Sequence, residues 1–254
     1  LGLDNSVDKM ISVCTTATMR PEILKKTFES FYRHMFLFAD TKLYINIDPA
    51  GCERKYYSNA LVEIDSIVYK YFDDVEYRIP TFDTGGSFPK AFIWVCSQPK
   101  TEYFFFLEDD WELLRPADLN EMINIMDNNP DLALLRLPRW GSKDVCRQWN
   151  KREIPWNGEF FELPDDMKCG LGFSGNPSLI RTSWMKKVLS HVSPDRDPEK
   201  QIKGRNALFL TAYRFGIFQH QNEERAISDI GSHWRTERKL KKDNKFRFVT
   251  WEKY

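Results

Sequence analysis

The sequence lacks several things at once. Its 254 residues carry no excess of either charge, with 37 Lys and Arg against 37 Asp and Glu, so net charge alone points to neither a nucleic acid nor an anionic membrane as partner. No apolar run approaches the roughly 20 residues that a membrane-spanning helix needs, and no secretory leader is visible. Cysteine is scarce and odd in number. Cys14, Cys52, Cys96, Cys146 and Cys169 are scattered without a Cys-x-x-Cys spacing, Cys14 and Cys96 read as core residues, and the set indicates a reducing compartment. The expected setting is soluble and cytoplasmic. The chain begins with Leu1 rather than Met, so it is read as a processed, trimmed or partial polypeptide.

What is present is enough apolar material, 42% of residues, to bury the core of one large domain. The most informative stretch is Tyr103-Phe104-Phe105-Phe106-Leu107-Glu108-Asp109-Asp110-Trp111. An uninterrupted aromatic run can be buried on both faces, and here it ends abruptly on three carboxylates. Adjacent acids repel one another and form strands poorly, so the arrangement gains little unless a cation or a set of donors stands opposite. Magnesium or manganese bound to a phosphate fits that requirement.

The preceding chain alternates strand and helix. Residues 10–15 predict a strand, Thr16-Ala17-Thr18 a polar loop, and Pro21 opens a helix with Ile23, Leu24, Phe28, Phe31 and Met35 on one face. Residues 42–48 predict a strand ending on Asp48, followed by the turn Pro49-Ala50-Gly51. A helix over 57–71, a strand over 75–79, a glycine loop over 82–87, a helix over 89–95 and the aromatic strand over 103–107 come next. A helix from about Pro116 to Asp127 and a strand over 132–137 complete the pattern. Such alternation implies an α/β fold with a mostly parallel, Rossmann-like sheet, helices on both faces, and ligands beyond the carboxyl ends of the strands. Thr15, Asp48 and Glu108 to Asp110 all fall at such ends. Residues 138–177, rich in Gly, Pro, charge and indole (Trp140, Trp149, Trp156), suit either a lid or binding loop whose tryptophans face sugar rings, bases or a protein partner, or the packing of a small second subdomain.

Taken together, Ile11 to Glu22, Phe106 to Asp110 and the later Gly172-Phe173-Ser174-Gly175-Asn176-Pro177-Ser178-Leu179-Ile180-Arg181 resemble a GT-A fold, family-2-like glycosyltransferase. The likeness covers the first half well and continues loosely to Trp234. It implies a nucleotide-sugar-binding half over 1–137, a smaller acceptor-side subdomain carrying the base over 138–234, and a tail over 235–254. It further implies Thr15, Thr16, Thr18, Arg20, Asp48 and Asp83 around the nucleotide, Glu108 and Asp109 near the ribose or donor sugar, and Asp110 on a divalent metal, Mn2+ or Mg2+. The triplet Glu-Asp-Asp departs from the family's Asp-x-Asp, which leaves the division of labour among the three acids open.

A sugar transfer with inversion also needs a base for the acceptor proton. By the resemblance this is Glu199, with Asp197 second; Pro198 suits the first position of a helix that Asp197 caps. Asp165 and Asp166 are outside candidates, as is Asp195. His233 is the expected additional metal ligand, and Arg235 a fork donor to the diphosphate. Acceptor contacts are assigned to Trp111, Trp140, Trp156, Gly175 and Asn176. The tail interleaves Lys239, Lys241, Lys242, Lys245 and Arg247 with Phe246, Phe248 and Trp251, a pattern suited to an anionic membrane or a nucleic acid, or to a solvated edge. The function expected is transfer of a sugar from a nucleotide sugar, a UDP-sugar foremost, to an unidentified acceptor. The rivals are a sugar nucleotidyltransferase, whose first loop would be rich in glycine whereas Thr15 to Arg20 has none, and a non-catalytic nucleotide- or glycan-binding module.

Overall fold

The computed structural model describes residues 10–50, 53–142, 154–204, 207–243 and 250–253. Gly51, Cys52, Cys146, Trp149, Lys245, Phe246, Arg247 and Phe248, to which the sequence drew attention, lie outside the described residues.

The first four strands, β1 (Ile11–Thr18), β2 (Thr41–Asp48), β3 (Asp74–Arg78) and β4 (Tyr103–Glu108), run parallel in the spatial order β3-β2-β1-β4. They are joined through α1 (Pro21–Phe31), α2 (Tyr57–Tyr71) and α3 (Phe88–Ser97). Pro21 stands in the first turn of α1, where its missing N–H costs nothing. A π-helical turn over Tyr32–Phe36 extends that helix. After the short β5 (Trp111–Leu113) comes α4 (Leu119–Asn128), capped by Asp118, whose carboxylate accepts from the N–H groups of Asn120 and Glu121.

The sheet then continues as β4-β8-β6-β9-β7, built from β6 (Leu132–Arg136), β7 (Phe161–Glu162), β8 (Ser178–Arg181) and β9 (Arg214–Ile217). β8 runs antiparallel between β4 and β6, and β9 pairs parallel to β6. Around it lie α5 (Asp165–Leu171), α6 (Thr182–Leu189), α7 (Pro198–Gly204) and α8 (Ala207–Thr211). The chain closes with β10 (Ile227–Asp229), which pairs with β5, then α9 (Ile230–Glu237) and the antiparallel pair β11 (Leu240–Asp243) and β12 (Thr250–Lys253). No helix among the described residues is long and apolar enough to cross a membrane.

The two faces of the sheet hold two cores. Phe105 and Leu107 point into one, with Phe28 and Phe31 of α1, Ile64 of α2 and Met122 of α4. Phe104 and Phe106 point into the other, with Phe92 and Val95 of α3 and Trp184, Met185 and Val188 of α6. The aromatic run of β4 is therefore a central strand buried from both sides, as its composition predicts. The described part of residues 138–177 sends Ile154, Phe161, Leu163, Met167, Leu171 and Phe173 into the second core, which is packing rather than a lid. One further local expectation fails. Thr16-Ala17-Thr18 is not a loop but the end of β1, because Thr16 pairs with Asn46 on one side and Glu108 on the other, and Thr18 with Asp48. Polar composition there reflects the site that the strand end faces rather than a turn.

Because Phe105 is fully buried and its ring lies 5.9 Å and 5.5 Å from those of Phe31 and Phe36, Phe105→Ala should cost about 3–5 kcal/mol. A lower urea midpoint at unchanged slope is the expected result; an unchanged midpoint would contradict this packing.

Candidate nucleotide-binding and catalytic site

The site is built on the ends of β1 and β4. Arg20, immediately before α1, is only 2% exposed and Asp109 only 4%. Arg20 Nη2 donates to Asp109 Oδ1 at 2.6 Å, while the Thr18 N–H and hydroxyl donate to Oδ2 at 2.9 and 3.2 Å. The Asp109 N–H donates to Thr16 O, and the Thr27 hydroxyl of α1 donates to Asp109 O. Both carboxylate oxygens of Asp109 are thus engaged by the protein itself, so the buried charge is paired and hydrogen-bonded.

The acids on either side of Asp109 diverge. Asp110 faces α9: its Oδ2 lies 3.4 Å from Arg20 Nη2 and 3.8 Å from Arg235 Nη1. A Cβ at Gly231 would stand 2.1 Å from that same oxygen. Burial, and then the neighbouring charge of Asp109, push the Asp110 carboxyl up to about 6, with Arg20 and Arg235 pulling the other way. Glu108 faces the second half of the chain. A Cβ at Gly175 would lie 2.6 Å from Glu108 Oε1 and 3.1 Å from Glu199 Oε1, so two carboxylates meet at one bare glycine. Glu199, in the first turn of α7, accepts from the Gly175 N–H and lies 3.7 Å from Lys203 Nζ. Asp197 caps the same helix by accepting from the Lys200 N–H.

On the opposite wall Asp48, at the end of β2, is buried and accepts from the Asn46 amide at 2.8 Å. Arg78 of β3 in turn donates to Asn46 Oδ1. Burial raises the Asp48 carboxyl, opposed by the bonds from Asn46 and the Ser87 N–H. Gly86 packs against it so closely that a Cβ would come within 2.9 Å of Asp48 Cβ. These groups surround a cavity of about 280 Å3 at the carboxyl ends of the parallel strands, where Thr16, Thr18, Arg20, Asp48, Glu108, Asp109, Asp110, Asp197, Glu199 and Arg235 come together from widely separated segments.

Other candidates lie elsewhere. Thr15 is buried in the sheet with its hydroxyl unpartnered. Asp83 is exposed and paired with Arg54. His233 is exposed on α9 and does not line the cavity; the α9 side chain that reaches Asp110 is that of Arg235. Trp111 is buried under Arg139, which also stacks on the exposed Trp140. Trp156 is exposed beside β7, and Asn176 is partly exposed next to Gly175. Asp165 pairs with Lys168, and Asp166 and Asp195 are exposed. The sequence reading passed over Phe88 and Ala91, which form the apolar wall of the cavity, and Gly231. The signal for Phe88 lay in its place directly after the glycine loop; none marked Gly231.

The donor chemistry at Asp110 and Glu108 fits a hard divalent cation. Among the described residues no three carboxylate, imidazole or thiolate groups converge on one point.

No protein-family model matches the chain, and no curated protein matches it in sequence. Solved structures do resemble it. S. aureus TarS 1–349 superposes with a TM-score of 0.56 at 15% identity, covering 86% of this chain and 59% of that one. The same TarS fragment in complex with UDP gives 0.54 at 12% identity over the same shares. The mannosyltransferase PcManGT from Pyrobaculum calidifontis, in complex with GDP-Man and Mn2+, gives 0.53 at 8% identity, covering 85% of this chain and 56% of that one. The chain thus spans less than two thirds of the length of these neighbours. At such identities the likeness establishes the fold, which is a glycosyltransferase-like GT-A fold.

The position of Asp110 has a measurable cost. A carboxyl raised from 3.8 to about 6 makes the folded protein bind a proton in that window, so stability falls as pH rises through it. In chelator, Asp110→Asn should therefore be more stable than the parent at pH 7, by on the order of 1–3 kcal/mol, with the difference gone near pH 4. A gain that persists at pH 4, or no gain at pH 7, in chemical denaturation would contradict it.

Proposed function

We propose that the protein is a metal-dependent glycosyltransferase that moves a sugar from a nucleotide-sugar donor, a UDP-sugar foremost, to an acceptor hydroxyl with inversion. One observation carries the reading: a single cavity joins polar strand ends that suit a nucleotide, an incompletely shelled acid that suits a metal, and a second-half carboxylate that suits a base. UDP in TarS and GDP-Man with Mn2+ in PcManGT support a nucleotide-sugar donor on the same fold. The acceptor remains an unspecified hydroxyl compound.

In this reading Asp48 and Thr16 hold the nucleoside, and Phe88 and Ala91 supply its apolar wall. Asp109 is a positioning residue, fixed by Arg20 and Thr18 so that Asp110 and Glu108 project into the cavity. Asp110, with Glu108 near it in sequence, would hold the divalent cation, which when bound neutralises charge developing on the departing diphosphate. Arg235 faces the same region and offers a guanidinium to phosphate oxygen. Glu199 takes the acceptor proton as the acceptor oxygen bonds to the anomeric carbon, whose bond to the diphosphate breaks with its electron pair leaving on phosphate. The hydrogen bond from the Gly175 N–H keeps one Glu199 oxygen oriented, and the second, 3.7 Å from Lys203 Nζ, is the one that would accept the proton. Asp197, at the mouth of the same helix, is the alternative base.

Titration of the protein with UDP, GDP, CMP and dTDP, and with the corresponding triphosphates, each with Mn2+ and with chelator, tests the reading. Tight, metal-dependent binding of one diphosphate is the expected outcome; no binding of any overturns it, and preference for a triphosphate favours the nucleotidyltransferase. Asp110→Ala should abolish the metal-dependent binding. Glu199→Gln should retain that binding and lose transfer by about a hundredfold or more; retained transfer would move the base to Asp197.

A further inference from the structure

Helix α9 approaches Asp110 closely. Gly231 and Arg235 are four residues apart and so share one helical face. Gly231 lets the backbone come against the carboxylate, where a Cβ would overlap it, and Arg235 reaches the same Oδ2 from one turn further on, at 3.8 Å. The helix itself is pinned. Trp234 Nε1 donates to Glu22 Oε1 at 2.8 Å, Arg238 donates to the same oxygen at 3.1 Å, and the Arg20 guanidinium lies over the Trp234 ring. The two arginines facing Asp110 are not equivalent. Arg20 is buried and committed to Asp109 at 2.6 Å, whereas the Arg235 side chain is a quarter exposed, lines the cavity, and meets Asp110 at a distance too long for a fork-like hydrogen bond.

We infer that Arg235 is the exchangeable one of the two counter-ions at Asp110 Oδ2, and that it would yield that oxygen to a divalent cation and transfer its guanidinium to the diphosphate of the incoming nucleotide. The inference rests on the transferase reading above. Arg20 and Arg235 already share that oxygen, so a divalent cation there would add a third positive charge, and Arg235, the farther and more exposed of the two, would be the one to give way. The displaced guanidinium finds its compensation in phosphate oxygens, which it binds by its planar fork. Arg235 therefore opposes metal binding in the empty site and favours it once nucleotide is present. By linkage, the metal must strengthen nucleotide binding by the same factor as the nucleotide strengthens metal binding. The exposed His233 takes no part in this exchange.

The experiment compares the parent protein with Arg235→Gln and Arg235→Lys, measuring Mn2+ alone by electron paramagnetic resonance and UDP in saturating Mn2+ by calorimetry. Arg235→Gln should bind Mn2+ alone about threefold more tightly, the scale of an ion pair released, yet bind UDP with Mn2+ roughly tenfold more weakly. Arg235→Lys keeps the charge and loses the fork, so it should show parental Mn2+ affinity with weakened UDP binding; it carries the test if the Gln variant is unstable. Unchanged or weaker Mn2+ binding in Arg235→Gln, including the case in which neither protein binds Mn2+, overturns the inference, as does unchanged UDP binding in both variants. If the parent binds no nucleotide diphosphate, the transferase reading fails, while the Mn2+ comparison still reads whether Arg235 competes for Asp110.

Discussion

The buried ion pair between Arg20 and Asp109 is the constraint on which the cavity depends. It joins the chain leaving β1 to the chain leaving β4, two strands adjacent in space but some ninety residues apart in sequence. Removing both groups from water is costly, and the cost is met only because Thr18 supplies two further donors to the carboxylate. With Asp109 fixed inward, its neighbours cannot follow it. Glu108 is directed towards Gly175 and Glu199, and Asp110 towards Gly231 and Arg235. Three consecutive acids that would repel one another in a turn thereby diverge, with Arg20 shared between Asp109 and Asp110.

The same geometry explains why glycine recurs around the cavity. Gly86, Gly175 and Gly231 each stand against a carboxylate, of Asp48, of Glu108 and Glu199, and of Asp110 respectively, at distances where a Cβ would collide. None of the three has the positive φ that would call for glycine on backbone grounds; close approach is the reason. Polar strand ends and bare backbone leave a cavity whose walls are largely acid, and the arginines entering from α1 and α9 offset that charge.

Much of the architecture was legible in the sequence because it is written locally. The unbroken Tyr103–Leu107 run marked a central strand, Pro21 and Pro198 marked helix starts, and Asp48 and Glu108 marked strand ends that line the cavity. What could not be read depends on partners far along the chain. Thr16 to Thr18 look like a loop in isolation, yet β2 and β4 hold them as strand from both sides. The antiparallel run of β8 follows from its place between β4 and β6, and nothing in Ser178–Arg181 declares it. Arg235 and His233 are two residues apart and equally polar, so only the helix phase, set by Gly231 resting on Asp110, decides which of them turns inward.

The antiparallel course of β8 also governs which part of the chain faces the cavity. Parallel strands present their exits at that end of the sheet, so Thr18, Asp48 and Glu108 are each fixed by the strand that precedes them. β8 presents its entrance, and Gly175 is therefore delivered by the segment arriving from α5 rather than by a strand departing. The second-half side of the cavity, Gly175 with Asp197 and Glu199 at the start of α7, is therefore placed by connections and a helix start, outside the register of the strands that end at Asp48 and Glu108. The sheet thus separates a wall fixed by strand register from one fixed by the packing of α7, so a change in α7 can move Glu199 without disturbing the strand ends opposite.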